Sequence, residues 1–345
     1  MQKQFFTKDN GVCLPVSDEY LVPLLNPTSK GTQYWEPPRE GVVLDRHMGR
    51  MLLQAHQILG LMAQAGFSLS GKSMLDIGTG NGMIPRLLLA VSELESAVGS
   101  DLYLDGEHRT SWQKHDHDEV IRNLCDFVYT HCPEDLNFDS YQGLASWEHF
   151  ELRPVPVPYK RQPPKNYRFT QVGAHDLQQI GQEFDFFYAK CIEHISNWDG
   201  IFRAVSECAN PGAVFLIKHV SFFSYLGPHR YASTNIPWGH LLLTDAEYPR
   251  FAREFHTHRA DQMVDFYFNG LACPRTTIGG LMKIAAKYDF VPKVIINEPL
   301  RGVRQLYPFT EDVQDFWKLV TSNHPDVGFD EMLSGRYHLL LHWNS

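Results

Sequence analysis

Alternating glycines mark the segment of this chain that is best suited to bind a reactive ligand. They follow a short apolar stretch, precede a run with helical character, and enclose two polar residues. The segment consists of Gly78, Thr79, Gly80, Asn81 and Gly82. Glycines at this spacing let a strand turn sharply into a helix and leave backbone amides open to a ligand. A dinucleotide-binding loop would carry its third glycine at the position of Met83, so a bound pyrophosphate is disfavoured.

Two acidic residues accompany this loop. Asp76 lies inside the apolar stretch, two residues before Gly78, where its carboxylate would face the ammonium or sulfonium group of a cationic ligand. Asp101 comes 25 residues after Asp76, at the end of a second apolar stretch, where an acid can bind both hydroxyls of a ribose. A nucleoside with a cationic tail would satisfy both acids.

These motifs carry a resemblance to a known family. Asp76-Ile-Gly-Thr-Gly-Asn-Gly82, followed by Val98-Gly-Ser-Asp101, resembles the first two motifs of the class I, Rossmann-like S-adenosylmethionine-dependent methyltransferases. Residues 169–195 are similar to the family's adenine-binding turn and to the strand that leads to its catalytic edge. The resemblance covers roughly residues 72–218. It implies S-adenosylmethionine as the cofactor and S-adenosylhomocysteine as the product.

The resemblance also implies further cofactor-binding residues. They are Leu102, Ala174, His175, Asp176 and Lys190. The family usually places an acid where this chain has Ala174, and Asp176 comes two residues later. The side chain that meets the adenine amino group therefore stays open.

Strands and helices alternate around these motifs. Strands are predicted at 72–77, 96–101, 167–172, 184–189, 213–218, 291–296 and 337–343, and helices at 45–65, 83–94 and 198–209. This alternation indicates an α/β fold with a doubly wound, mostly parallel sheet. The resemblance implies seven strands, with an antiparallel strand near the C-terminal end.

The domain organisation follows from these elements. Residues 1–70 are expected to form an N-terminal helical arm, with its first forty residues irregular, and residues 71–345 the methyltransferase domain. That domain would contain a long insertion after strand two at 102–166 and an acceptor-side cap at 219–280. Long loops of this kind commonly serve function, so the insertion could form a cap, a homodimer contact or part of the acceptor pocket.

Histidines and aromatic residues cluster after the fifth strand of the predicted sheet. The catalytic candidates there and at the end of the fourth strand are His194, His219, His229 and His240. A histidine, with an ordinary pKa near ~6.5, can accept a proton from a hydroxyl acceptor at neutral pH. Tyr225, Arg230 and Trp238 would bind the substrate through a hydroxyl, a fixed positive fork and a flat apolar wall.

Net charge, apolar runs and cysteine spacing argue against several classes of partner. A net charge of −9 disfavours nucleic acid and anionic membrane surfaces. No apolar run reaches the ~18 residues of a membrane helix, and no signal-peptide core is present, so a cytoplasmic location is expected. The six cysteines contain no CxxC pair, which argues against a zinc ribbon.

The insertion and the segment after strand four argue against a metal site and against a nucleic-acid or protein acceptor, respectively. His115 and His117 have metal-binding residue types, but the charges around them indicate a solvated segment, and no metal is assigned. Residues 190–194 lack the Asn-Pro-Pro-Tyr with which similar nucleic-acid and protein methyltransferases hold a planar amine. A small-molecule acceptor is therefore favoured.

The function expected from the sequence is transfer of a methyl group from S-adenosylmethionine to an oxygen, nitrogen or sulfur atom of a small molecule. One alternative is a methyltransferase-like binding or scaffold protein without catalytic activity. A nucleotide-binding oxidoreductase is the other. Binding of S-adenosylmethionine, S-adenosylhomocysteine and NAD, together with turnover on candidate acceptors, would separate the three.

Overall fold

The structure is a computed structural model that describes residues 4–21, 54–80, 82–102, 166–270, 275–299 and 313–345. Its strands are β1 (Gln4–Thr7), β2 (Cys13–Val16), β3 (Ser73–Ile77), β4 (Ser96–Ser100), β5 (Tyr167–Thr170), β6 (Phe184–Ala189), β7 (Ala209–His219), β8 (Phe290–Pro299) and β9 (Ser334–Trp343). Its α-helices are α1 (54–64), α2 (Met83–Val91), α3 (Trp198–Ser206), α4 (His229–Ala232), α5 (Gly239–Leu242), α6 (Glu247–Phe255), α7 (Ala260–Asp265), α8 (Ile278–Lys287), α9 (Val313–Asn323) and α10 (Phe329–Met332).

Seven strands form one sheet in the order β5-β4-β3-β6-β7-β9-β8. The neighbouring strands from β5 to β7 are parallel, whereas β9 runs antiparallel to both β7 and β8. The first strand of this sheet in sequence, β3, lies between β4 and β6, so the chain order reverses there. In open α/β sheets, ligands bind at the carboxyl ends of the strands beside such a reversal. The predicted doubly wound, mostly parallel, seven-stranded α/β fold is confirmed.

Helices cover both faces of the sheet. Met74 and Phe186 pack on one face, together with residues of α1 and α2. Leu75 and Phe187, the next residues of the same strands, pack on the other face with residues of α3 and α8. Successive strand residues point to opposite faces, so strands buried on both sides need the nearly continuous apolar sequence seen here.

A third apolar cluster lies between the N-terminal strands and the helices that follow β7. The ring of Phe6 in β1 packs edge-on against Phe251 of α6, with centroids 5.4 Å apart. Lys8, just after β1, forms a buried ion pair with Glu247 of α6 at 3.0 Å.

The antiparallel β1–β2 pair corrects the prediction of an irregular start. Asn10-Gly11 at its turn is a strong hairpin signal, and Gly11 has a φ of 85°.

Element ends differ from the predictions in a few places. Helix α2 ends at Val91 rather than at 94, and β5 ends at Thr170 rather than at 172. The turn predicted at 210–212 lies inside β7, which pairs with β6 from Ala209 onward across a register shift. Gly212, with a φ of 77°, accommodates that irregularity.

Much of the predicted arm and insertion lies outside the described residues. This applies to 22–53 in the arm, to 103–165 in the insertion with its His115 and His117, and to 271–274 in the predicted cap. The domain boundaries stay predictions. None of the helices in the described residues has both the length and the apolar character needed to cross a membrane.

Candidate cofactor and acceptor site

The glycine loop connects β3 to α2 in a left-handed backbone conformation. Gly78, Gly80 and Gly82 have φ angles of 66°, 59° and 69°, a region that residues with a Cβ rarely adopt. A Cβ at Gly78 would overlap the sulfur of Cys191, whereas one at Gly80 would have no atom within 4 Å. The loop is therefore packed tightly at its first glycine and open at its second. Asn81 lies outside the described residues.

Asp76 is a buried acid beneath this loop. Asp76 is only 4% exposed, and its Oδ2 accepts a hydrogen bond of 2.7 Å from the hydroxyl of Thr79. Burial, supported by the nearby charge of Asp101, raises the pKa of Asp76 to about 7. An approaching cation would stabilise the ionised form, since an opposite charge offsets the cost of desolvation.

Asp101 directly follows β4, the parallel neighbour of the strand that contains Asp76. Its Oδ2 accepts a hydrogen bond of 2.8 Å from the backbone N–H of Gly80. A carboxylate accepts several hydrogen bonds at once, so this bond is compatible with bonds to ribose hydroxyls. The two predicted acids thus contact adjacent residues of the glycine loop, Thr79 and Gly80.

The predicted adenine-binding residues lie beside the end of β4. Leu102 is 61% exposed, and its Cδ2 would lie 2.9 Å from a Cβ on Gly173. The side chain of Gln171 donates a hydrogen bond of 2.9 Å to the carbonyl of Leu102, which ties the two segments together. Ala174 packs against the core, and Asp176 is exposed. This arrangement leaves the apolar side chain of Leu102 exposed, and its role toward adenine stays a prediction.

Two predicted cofactor residues have bonds to other parts of the protein. His175 donates a hydrogen bond of 3.0 Å from Nε2 to the carbonyl of Ser196, just before α3. Lys190 is exposed and donates from Nζ to Oε1 of Gln54 in α1 at 3.3 Å. Their roles toward the cofactor stay predictions.

Three of the four histidines predicted to act on the acceptor lie in one cluster with an acid. Glu193 and His194 belong to a short 3₁₀ turn after β6, His219 ends β7, and His229 begins α4. The rings of His194 and His229 have centroids 4.9 Å apart, and Nδ1 of His219 lies 3.8 Å from Oε2 of Glu193. Glu193 is absent from the sequence predictions. Its position beside His194, directly after a predicted strand, was the available signal.

Other predicted acceptor residues belong to the apolar cluster of the cap. His240 is 2% exposed and donates from Nε2 to the carbonyl of Phe222 at 2.9 Å. Tyr225 donates to the carbonyl of Tyr20, and Trp238 donates to the carbonyl of Met332 at 3.1 Å. The structure therefore does not bring these three into the histidine cluster. Their roles stay predictions, as does that of Arg230, which lies in α4.

A cysteine joins the glycine loop to the histidine cluster. Cys191 donates a hydrogen bond of 3.3 Å from Sγ to the carbonyl of Ile77, and it precedes Glu193 by two residues. Burial of its thiol, with the charges of Glu193 and Asp76, holds the pKa well above its ordinary value. Asp76 beside the glycine loop and Glu193 in the histidine cluster thus both act on the thiol of Cys191.

Comparison with known families agrees with this architecture. A family model described as a methyltransferase domain matches residues 44–265, nearly two thirds of the chain. The chain therefore belongs to the S-adenosylmethionine-dependent methyltransferases. No curated protein sequence matches it.

Some solved structures of low sequence identity are also similar to this chain. The cyclopropane synthase MmaA2 from Mycobacterium tuberculosis is 15% identical, with 94% of each chain covered and a TM-score of 0.42. The plantazolicin methyltransferase BamL, in complex with a triazolic desmethylPZN analog and SAH, is 10% identical, with 88% of this chain and 89% of its own covered and a TM-score of 0.42.

Proposed function

We propose that this chain transfers the methyl group of S-adenosylmethionine to an oxygen, nitrogen or sulfur atom of a small molecule. The observation that carries the proposal is that Asp76 and Asp101 both contact the glycine loop, Asp76 through the hydroxyl of Thr79 and Asp101 through the backbone N–H of Gly80. They lie at the carboxyl ends of two adjacent parallel strands.

The residues present fit this cofactor. The buried carboxyl of Asp76, with its pKa raised to about 7, is suited to a ligand with a positively charged ammonium or sulfonium group. The open space at Gly80 admits a ligand close to the backbone, and the exposed Leu102 offers an apolar surface to adenine. When bound, S-adenosylmethionine supplies a methyl group activated by its sulfonium.

The protein's own contribution would be to hold the acceptor in line with that methyl group. Alignment of two reactants can supply up to ~7–11 kcal/mol. A hydroxyl acceptor would also need a base, and His194, His219 and His229 lie together for that purpose. An amine or thioether acceptor would need none.

The surroundings of this cluster support a small acceptor. His194 donates from Nδ1 to the carbonyl of Gly270 at 3.4 Å, so the segment after α7 lies directly against the turn after β6. Glu193 is 6% exposed and His219 only 1%. A covered position of this kind suits a small molecule better than a wide macromolecular surface.

A pair of glycine variants tests the cofactor site. Gly80→Ala and Gly181→Ala both introduce a Cβ at a positive φ, 59° and 68°, with no atom within 4 Å. Backbone strain should therefore cost both variants similar stability, measured by urea denaturation. Only Gly80→Ala should weaken S-adenosylmethionine and S-adenosylhomocysteine in isothermal titration calorimetry.

The same titrations separate the alternatives. Equal cofactor affinity in the two variants would refute the assigned site, and tight binding of NAD alone would indicate an oxidoreductase. Turnover is measured with methyl-labelled S-adenosylmethionine against small hydroxyl, amine and thiol compounds. Tight cofactor binding with no labelled product from any class would indicate a binding protein.

A further inference from the structure

A compact group of potential metal ligands lies on the acceptor side of the site. One carboxylate oxygen of Glu193 and one ring nitrogen each of His194 and His229 lie within 4.8 Å of one another. The first two residues follow β6, and the third begins α4 in the cap. His229 has a φ of 50°, a left-handed conformation that non-glycine residues adopt only when the surrounding structure holds them there.

The two imidazoles have nitrogen atoms suited to coordination. A carbonyl oxygen only accepts hydrogen bonds, so the bond from His194 to Gly270 places the proton on Nδ1 and leaves a lone pair on Nε2. A bond to a backbone carbonyl is the usual way in which a metal-binding imidazole is oriented. The Nε2 atom of His229 is buried and has no hydrogen-bond partner among the described residues.

The charges of the group also suit a cation. Burial alone would raise the pKa of Glu193, but the ring of His219, whose Nδ1 lies 3.8 Å from Oε2 of Glu193, and the charges of His194 and His229 lower it. Burial, with the charge of His194, lowers the pKa of His229 to about 4. The group combines one acidic side chain with two imidazoles, which are ligand types that divalent transition metals bind.

The geometry points to a divalent transition-metal ion bound by Glu193, His194 and His229, with His219 as a positioning residue for Glu193. Two histidines and one carboxylate form the protein ligand set of several catalytic zinc and iron sites that keep open positions for substrate. Metal–ligand distances of about 2.0–2.2 Å place neighbouring ligand atoms about 3.4 Å apart in a tetrahedral site. Small side-chain rotations would close the cluster to that spacing.

The open position would hold the heteroatom of the methyl acceptor, and this part of the inference rests on the proposed function. A metal ion lowers the pKa of a bound hydroxyl or thiol, whose proton passes to solvent. The heteroatom then forms a bond to the methyl carbon while the carbon–sulfur bond of S-adenosylmethionine breaks, and the electron pair stays on sulfur. Charge and atoms balance, because the acceptor anion and the sulfonium cation give the neutral methylated acceptor and S-adenosylhomocysteine.

The test uses the full chain, freed of metal with a chelator and titrated with Co²⁺. Visible absorption reports the coordination of Co²⁺, and calorimetry with Zn²⁺ gives the stoichiometry. We expect one ion per chain. His229→Ala and Glu193→Gln should each weaken binding more than ~100-fold, because loss of a supporting residue alone costs ~10–100-fold. His219→Gln should weaken metal binding by only ~10–100-fold and should alter the Co²⁺ spectrum.

His256→Ala is the matched control. His256 is also a buried cap histidine whose Nε2 has no hydrogen-bond partner among the described residues, but it lies outside the cluster. Circular dichroism confirms folding of each variant. Absence of Co²⁺ and Zn²⁺ binding, or equal binding in His229→Ala and His256→Ala, would overturn the metal site. Binding of S-adenosylmethionine is measured on the metal-free wild-type chain. Failure of that chain to bind S-adenosylmethionine would count against the proposed function and not against the metal site.

Discussion

Replacement of Asp76 by asparagine should stabilise the ligand-free protein while removing cofactor binding. Burial raises the pKa of Asp76 from its ordinary value of 3.8 to about 7. At ~1.4 kcal/mol per pH unit, ionising this carboxyl costs roughly 4 kcal/mol more in the folded chain than in the unfolded chain. Asparagine has nearly the same shape and can still accept the bond from Thr79, so the variant avoids this cost.

The sign of the effect follows from proton binding. Between pH 3.8 and about 7 the folded chain holds a proton at Asp76 that the unfolded chain has released. This contribution makes the wild-type protein less stable as pH rises through that range, and it is constant above it. The advantage of Asp76→Asn should therefore widen by ~1.4 kcal/mol per pH unit from pH 5 to 7, and then level off near 4 kcal/mol.

Urea denaturation at half-unit pH intervals from 5 to 8 measures this difference. Asp185→Asn is a control of opposite sign, because bonds from Ser73 and Lys72 outweigh burial and lower the pKa of Asp185. That variant should lose stability above the ordinary pKa of an aspartate. A constant difference between Asp76→Asn and wild type across this pH range would refute the raised pKa. Undiminished affinity of Asp76→Asn for S-adenosylmethionine would refute its role toward the cation.

Three further variants address the ribose, the N-terminal hairpin and the cap. Asp101→Ala should weaken S-adenosylmethionine and S-adenosylhomocysteine alike by roughly 1.5–3 kcal/mol in calorimetry, through lost charged hydrogen bonds; undiminished adenosine binding would contradict the ribose assignment. Lys8→Ala leaves Glu247 buried without its cation and should lower the free energy of unfolding by ~3–5 kcal/mol. The exposed Lys318–Asp315 pair gives a control, since Lys318→Ala should cost under ~1 kcal/mol. His240→Ala leaves the carbonyl of Phe222 without its donor and should cost ~1–3 kcal/mol in denaturation; reduced turnover at unchanged stability would instead support its predicted catalytic role.

The nucleotide side of the site could be predicted because its signals are local. The turn between β3 and α2 requires glycine at positions of positive φ, and Asp76 and Asp101 lie at the ends of short apolar strands. Parallel strands bring such ends to one edge of the sheet. Sequence alone thus fixes which residues meet there.

The acceptor side could be predicted only in part, because it depends on packing between distant segments. His229 and His240 have the same residue type and lie in neighbouring short helices, yet one ring contacts His194 and the other lies against Phe222. Whether an aromatic or imidazole ring lines a site or fills a core depends on which helix covers it. No local pattern in the sequence carries that information.

Strand β9 lies between β7 and β8, although the ribosome synthesises it after both. Its residues Leu339, Leu340 and Leu341 are fully buried. The emerging chain therefore carries an unpaired edge on β7 for more than a hundred residues, and such an edge can pair with other chains. A chain interrupted before residue 334 would lack β9, would keep open edges on both β7 and β8, and would be prone to aggregate.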